Sequence, residues 1–205
     1  EDAAWRPFTL PNGLPVEFPA WFQPVEQPDG SWRAYAPDGT HIATMPATGT
    51  FFDQACFPYQ DGYPADYAGL EEAMNKVLWQ GLALSPWDHA AEPDFWGELR
   101  RRALALRETS DRALMLVVGC NLVAWGTFLR RIDNFLMDLA SEPDEVDRLL
   151  DALLERHMAT LEKVCAAVGD VADIVRFCDD LGADRGTLMS PATYRRFFKP
   201  RQKIM

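Results

Sequence analysis

The fold turns on one stretch, Val171-Ala172-Asp173-Ile174-Val175-Arg176-Phe177-Cys178-Asp179-Asp180-Leu181-Gly182. Its first half, to Phe177, reads as a short strand, and that strand runs straight into two neighbouring carboxylates. A counterpart lies upstream in Ala113-Leu114-Met115-Leu116-Val117-Val118, a continuous apolar run stopped by Gly119. Such a run is the pattern of a parallel strand buried on both faces. Between the two, Val146, Leu149, Leu150, Leu153, His157, Leu161, Val164 and Val168 recur at helical spacing for about seven turns. The order strand, helices, strand, helix predicts a parallel sheet with right-handed crossovers.

The long helix is announced by Ser141 as N-cap, Pro143 in the first turn and the acids Glu142, Asp144 and Glu145, which suit the positive end of a helix. Gly169 supplies its stop. A helical stretch around Ile132 to Leu139 precedes it, and Ser190-Pro191 opens a further helix after the acidic loop. Nearer the amino terminus, Leu70, Ala73, Met74, Val77, Leu78 and Gly81 share one helical face. Another helix is expected from near Glu92-Pro93-Asp94 through Leu106. Before about residue 65 the chain is rich in Pro, Gly and aromatics, with turn signals at Pro11-Asn12-Gly13, Pro28-Asp29-Gly30 and Pro37-Asp38-Gly39. Ser31 to Tyr35 alternates as a half-buried strand does, and His41 to Met45 follows the next turn, so a small antiparallel excursion is predicted.

With 48% hydrophobic and 25% charged residues the chain has the composition of a folded domain. No run of about 18 uncharged apolar residues suggests a membrane span, and Glu1-Asp2-Ala3-Ala4-Trp5 lacks the features of an export signal, so a cytoplasmic location is expected. A formal charge of −11 argues against nucleic acid and anionic lipid as partners. Cys56, Cys120, Cys165 and Cys178 show neither CxxC spacing nor scaffold density and read as free thiols of a reducing compartment. The chain begins without Met and stops at Lys203-Ile204-Met205 within a helical stretch, as a piece of a longer protein would.

In parallel α/β architectures functional groups gather at the carboxyl ends of strands, which is where Asp179 and Asp180 fall. There they can orient a substrate donor, hold a cationic intermediate or act as a base; the plain alternative is a pair of loop acids capping the turn. Asn121, in Gly119-Cys120-Asn121, takes the same position after the first strand. It reads either as a source of amide hydrogen bonds to the pocket or as a partner of local backbone amides. Cys120 and Cys178 make a weak zinc pattern without a nearby His. His157, on the apolar stripe, reads as a core imidazole, while His41 and His89 sit in loop-like contexts with no partner motif. Arg130, Arg131, Arg176 and Arg185 are candidate carboxylate binders, of which Arg176 stands out by its place in a strand. Arg195, Arg196, Lys199 and Arg201 read as a solvated helix face.

The segments Asp179-Asp180-Leu181-Gly182, Ser190-Pro191-Ala192-Thr193-Tyr194-Arg195-Arg196 and Lys199-Pro200-Arg201 resemble the signature of the uroporphyrinogen decarboxylase superfamily. The resemblance is weak from about Asp38 and strong from Ala113 to Lys203. It implies a partial (β/α)8 TIM barrel, with residues 1–65 a β-rich excursion belonging to the barrel domain and residues 66–205 the barrel's central part. It also implies one of two chemistries, decarboxylation of uroporphyrinogen or methyl transfer between a corrinoid and a thiol. Decarboxylases carry an Asp-Ser-Trp-Ala-Gly type sequence where this chain has Asp179-Asp180-Leu181-Gly182. They also carry a pocket Tyr where Trp125, Thr127 and Phe128 stand here.

These departures favour the methyltransferase-like branch. By that resemblance Asp179 and Asp180 are the catalytic candidates, and Asn121, Cys120, Arg176 and Gly182 contact a small-molecule or corrinoid-protein substrate. Zinc and a corrinoid would then be the cofactors, with the zinc ligands expected outside this chain; decarboxylation would need none. A third reading is a tetrapyrrole or corrinoid binding protein without turnover. A homo-oligomer stays open, and a piece of this length alone is expected to be inactive because it cannot close a barrel.

Overall fold

The structure is a computed structural model that describes residues 5–19, 22–36, 38–77 and 94–205. The chain divides into two compact units, Glu1–Pro58 with Ala68–Ser85, and Tyr59–Tyr67 with Pro86–Met205.

The first unit is built from local antiparallel pairs. Strands β1 (Trp5–Thr9) and β2 (Pro15–Pro19) form a hairpin whose turn uses Gly13 at φ +84°. Strands β3 (Val25–Glu26), β4 (Trp32–Tyr35), β5 (His41–Met45) and β6 (Asp53–Gln54) follow in sheet order, each antiparallel to the next. Short polar side chains set the turns. The Asp29 carboxylate accepts from the Ser31 amide at 3.0 Å and its hydroxyl at 2.6 Å, and Asp38 accepts from the Thr40 amide at 2.9 Å. Gly30 and Gly39, at φ +79° and +85°, take the left-handed residue of each turn. A core beside β4 and β5 buries Ala34, Ile42 and Ala43 with Phe22 and Ala36, and Phe18, Phe52 and Cys56 pack against it. Helix α1 (Leu70–Asn75) ends the described part of this unit and buries Leu70, Ala73 and Met74. Leu78 and Gly81, like Pro37, His89 and Glu92-Pro93, lie outside the described residues.

In the second unit helix α2 (Phe95–Thr109) leads to strand β7 (Met115–Val117), then helices α3 (Val123–Arg130), α4 (Ile132–Ser141) and α5 (Pro143–Val168). Strand β8 (Ile174–Arg176), the small hairpin β9 (Gly182–Ala183) with β10 (Gly186–Thr187), and helices α6 (Pro191–Phe197) and α7 (Lys199–Gln202) complete it. Helix α5 is the spine. Val146, Leu149, Leu150, Leu153, His157, Leu161, Val164 and Val168 lie on its buried face, and each fully buried Leu or Val is worth roughly 1.5–3 kcal/mol over its exposed state. Its start differs from expectation, because Ser141 belongs to the last turn of α4 and donates to the Met137 carbonyl at 3.2 Å. Glu142 takes the cap position, and Pro143 follows as the first helical residue. Ser190 does cap α6, its hydroxyl accepting from the Thr193 amide at 3.1 Å.

Strands β7 and β8 pair in parallel, Met115 opposite Ile174 and Val117 opposite Arg176. The pair is pinned at its amino-terminal end by Asp173, whose Oδ2 accepts from the Leu114 amide at 2.8 Å and from Arg107 at 2.5 Å. Arg107 also donates to the Val171 carbonyl at 2.6 Å. Arg100 of the same helix forks onto Asp170 at 2.6 and 2.8 Å.

The expected partial (β/α)8 barrel is not formed. The described strands make four separate sheets of two to four strands, none closed into a cylinder, and the eightfold alternation of strand and helix is absent among them. The connections explain it. Residues 113–118 and 171–177 are separated by a helical crossover long enough for parallel pairing, whereas short turns commit the neighbouring strands of the amino-terminal region to antiparallel pairs. Burial on both faces also fails for this pair. Leu116 and Val118 pack on α5, but Met115, Val117 and Ile174, on the other face with Arg176, are exposed. Among the described residues no helix is long and apolar enough to cross a membrane. All four cysteines are free thiols.

Candidate functional site

Beyond Val117 the ladder continues for one bond, Val118 donating to the Arg176 carbonyl at 3.2 Å. The chain then turns sharply at Gly119, whose φ of +65° would strain any residue with a Cβ. The Gly119 carbonyl accepts from the Asn121 amide at 2.9 Å and the Trp125 indole at 3.4 Å, and α3 begins two residues after Asn121. The turn is braced from two sides. Asn121 Oδ1 accepts from the Cys178 amide at 3.2 Å, tying the end of β7 to the end of β8. Its carbonyl lies 3.1 Å from His157 Nε2, which fixes that nitrogen as the protonated one, since a carbonyl can only accept. Burial holds the His157 imidazole neutral, its pKa pushed down to about 4.

Asp179 is the centre of the arrangement. Leu122, at the N-cap position of α3, has no side chain that can accept from the helix amides. The Asp179 carboxylate does so from a distant point in the sequence: Oδ2 accepts from Leu122 N and Oδ1 from Ala124 N, each at 3.0 Å. Gln202 of α7 adds a third donor, Nε2 to Oδ2 at 3.2 Å, and is itself oriented by the Tyr194 hydroxyl donating to Oε1 at 2.9 Å. Burial raises the pKa of Asp179 and these donors pull it back, with the net shift upward. One acid therefore joins β8, α3 and α7.

Cys120, Phe177, Asp179, Leu181, Gln202 and Met205 line a cleft of about 190 Å³ beside this carboxylate. Cys120 is buried, its sulfur 3.6 Å from the Val118 carbonyl and 4.0 Å from that of His157, and burial pushes its thiol pKa up to about 11. It is an unreactive thiol at neutral pH.

The structure thus brings Asp179, Cys120 and Asn121 together and separates the other sequence candidates from them. Asp180 is exposed and has no hydrogen-bond or ion-pair partner among the described residues. Arg176 lies on the open face of the strand pair, and Gly182 pairs with Thr187 in the β9–β10 hairpin. Phe177 and Leu181 stood within the deciding stretch without a role of their own, and Gln202 and Met205 carried no signal, because nothing local says which residues a turn and a distant helix will share. The basic cluster near the end is only partly a solvated face. Arg201 is buried, bonded to Asp151 at 2.7 Å, to Asp147 at 3.1 Å and to the Phe197 carbonyl at 2.7 Å, and so anchors α7 on α5. Arg130 is likewise structural, donating to Asp138 at 2.7 Å, which also accepts from the Tyr63 hydroxyl at 2.8 Å.

The zinc implied by the methyltransferase resemblance does not fit these residues. No group of three His, Cys, Asp or Glu side chains among them could hold a metal ion. Cys120 and His157 are both engaged with carbonyls. The chain matches no family model, no curated protein and no solved structure.

Proposed function

We propose that the protein handles a small ligand at the carboxyl ends of β7 and β8, and that its chemistry is methyl transfer between a corrinoid and a thiol. One observation carries the reading. The segments that resemble the uroporphyrinogen decarboxylase superfamily, residues 119–121, 179–182 and 199–201, meet around the single carboxylate of Asp179, and the Asp-Asp-Leu-Gly form of 179–182 favours the methyltransferase-like branch. In this reading Asp179 positions α3 and the floor of the cleft, and Asp180, exposed beside it, is the carboxylate left to meet substrate. A cleft of about 190 Å³ is below the roughly 300–1,000 Å³ of sites that enclose drug-sized molecules, so a corrin ring would approach the strand ends from outside. No step is assigned to zinc. Decarboxylation of uroporphyrinogen falls behind because it calls for arginines to hold several carboxylates, and no arginine lines the cleft.

A binding role without turnover is the second reading. It is favoured by the engagement of Asp179 and Asn121 with backbone amides, which leaves them few lone pairs for chemistry. Methylcobalamin and a thiol, with zinc supplied, separate the two. Loss of the alkyl-cobalt absorbance above the buffer rate, reduced in Asp180→Asn, supports methyl transfer. Saturable binding with no such loss supports the binding role, and neither result removes both.

A further inference from the structure

We propose that the strand-end cleft selects a small organic cation, an ammonium carried on methyl or methylene groups, held between the Asp179 carboxylate and the Phe177 ring. The inference rests on the reading of this cleft as the ligand site and adds the chemical class of the ligand.

The charge pattern of the cleft leads to it. Of the side chains of the lining residues Cys120, Phe177, Asp179, Leu181, Gln202 and Met205, only that of Asp179 carries a charge at neutral pH, and no Lys, Arg or His is among them. The hydrogen-bond donors to its carboxylate are neutral amides, from the backbone at Leu122, Val123 and Ala124 and from the Gln202 side chain. The positive charge that these backbone donors bring is the partial charge at the start of α3, about half an elementary charge for a full helix macrodipole. Arg201 of α7 is directed elsewhere, bonded to Asp147 and Asp151 on α5. A half-buried carboxylate with no counter-cation is under-compensated, which agrees with the upward direction of its pKa. An incoming cation relieves that cost, and an anion would add to it.

The walls favour the same class. Phe177 contributes an aromatic ring to the lining, and Met205 and Cys120 are sulfur-bearing; such side chains attract alkylated ammonium groups, which shed water more readily than a bare ammonium. The cleft volume of about 190 Å³ limits the ligand to a compact one.

The test uses tetramethylammonium chloride against its neutral near-isostere tert-butanol at matched ionic strength, followed by the amide resonances of residues 120–124 and 177–181. The expected result is saturable shifts with the cation and none with the alcohol. Phe177→Leu, which keeps the apolar bulk and removes the ring, weakens binding by a factor of roughly 3–30. Asp179→Asn, which keeps the shape and removes the charge, weakens it further. Equal response to both probes, or unchanged affinity in Phe177→Leu with its fold intact by amide spectrum, overturns the cation preference and leaves the cleft as a ligand site. Silence of these amides toward both probes overturns the cation inference and the cleft reading together, and the methylcobalamin experiment then decides whether ligand chemistry lies elsewhere.

Discussion

The four-stranded sheet of residues 25–54 and the parallel pair β7–β8 are both small, yet they are held by opposite means. In the first, the β3–β4 and β4–β5 turns are each closed by an Asp two residues from its partner and a left-handed glycine, so the register is written within a few residues of where it acts. In the second, two three-residue strands separated by more than fifty positions are aligned by side chains from elsewhere. Asp173 with Arg107 pins one end, and Asn121, His157 and Asp179 brace the other. A hairpin carries its own instructions, while a parallel pair depends on the helix that covers it and on long-range polar ties. Those ties are also what build the cleft.

The largest break in this contrast is expected from Leu153→Ala, a fully buried position on α5. The loss is about 2–5 kcal/mol. Hydrogen exchange should speed up at 115–117 and 174–176 while amides of 32–35 and 41–45 keep their protection. Equal loss in both regions would contradict the separate origins of the two sheets.

Next in size is a pH effect carried by His157. Its folded pKa of about 4 lies below the ordinary 6.5 because the imidazole is buried. Between these values the unfolded chain binds the proton and the folded chain does not. The neutral His157 therefore contributes stability that is present above pH 6.5 and lost as the pH falls toward 4, up to roughly 3 kcal/mol. Urea midpoints at pH 7, 5.5 and 4.5 should fall less steeply in His157→Gln, which keeps a donor for the Asn121 carbonyl. Asp179, with its pKa raised by burial, acts with the opposite sign and cannot produce that slope.

A smaller effect is expected at the cap. Asp179→Ala should cost about 1–2 kcal/mol and expose the amides of Leu122 and Ala124 to exchange, whereas Asp179→Asn should keep part of the protection. Smallest is Gly39→Ala, where no atom lies near the added methyl and only the φ of +85° opposes it. About 1 kcal/mol should be lost, with resonance changes confined to the neighbouring turn.

The same contrast explains what could be read in the sequence. Strands 32–35 and 41–45 were legible from alternation and turn residues, and α5 from its apolar period and Pro143. The positions of β7 and β8 were visible as apolar runs, but not that one face would stay open, since an apolar run carries no record of how many neighbours cover it. Family resemblance extended two strands to a barrel that the pairing does not form. At the site, Asp179 and Asn121 stood out by position, but not what they bond, because helix α3 lacks a cap of its own and takes one from residue 179. Gln202 was invisible for a related reason: its role depends on the docking of α7 through Arg201, whose burial against Asp147 and Asp151 no local pattern announces.

The arrangement stands or falls on the parallel alignment of 115–117 with 174–176, which alone brings Gly119 to Asn121 beside Cys178 to Asp180. Interstrand proton NOEs on isotopically labelled protein test it directly. The prediction is a parallel pattern with Leu116 opposite Val175 and slow exchange of the Val118 amide on the Arg176 carbonyl. An antiparallel pattern, a shifted register, or no contact between the two segments would contradict it.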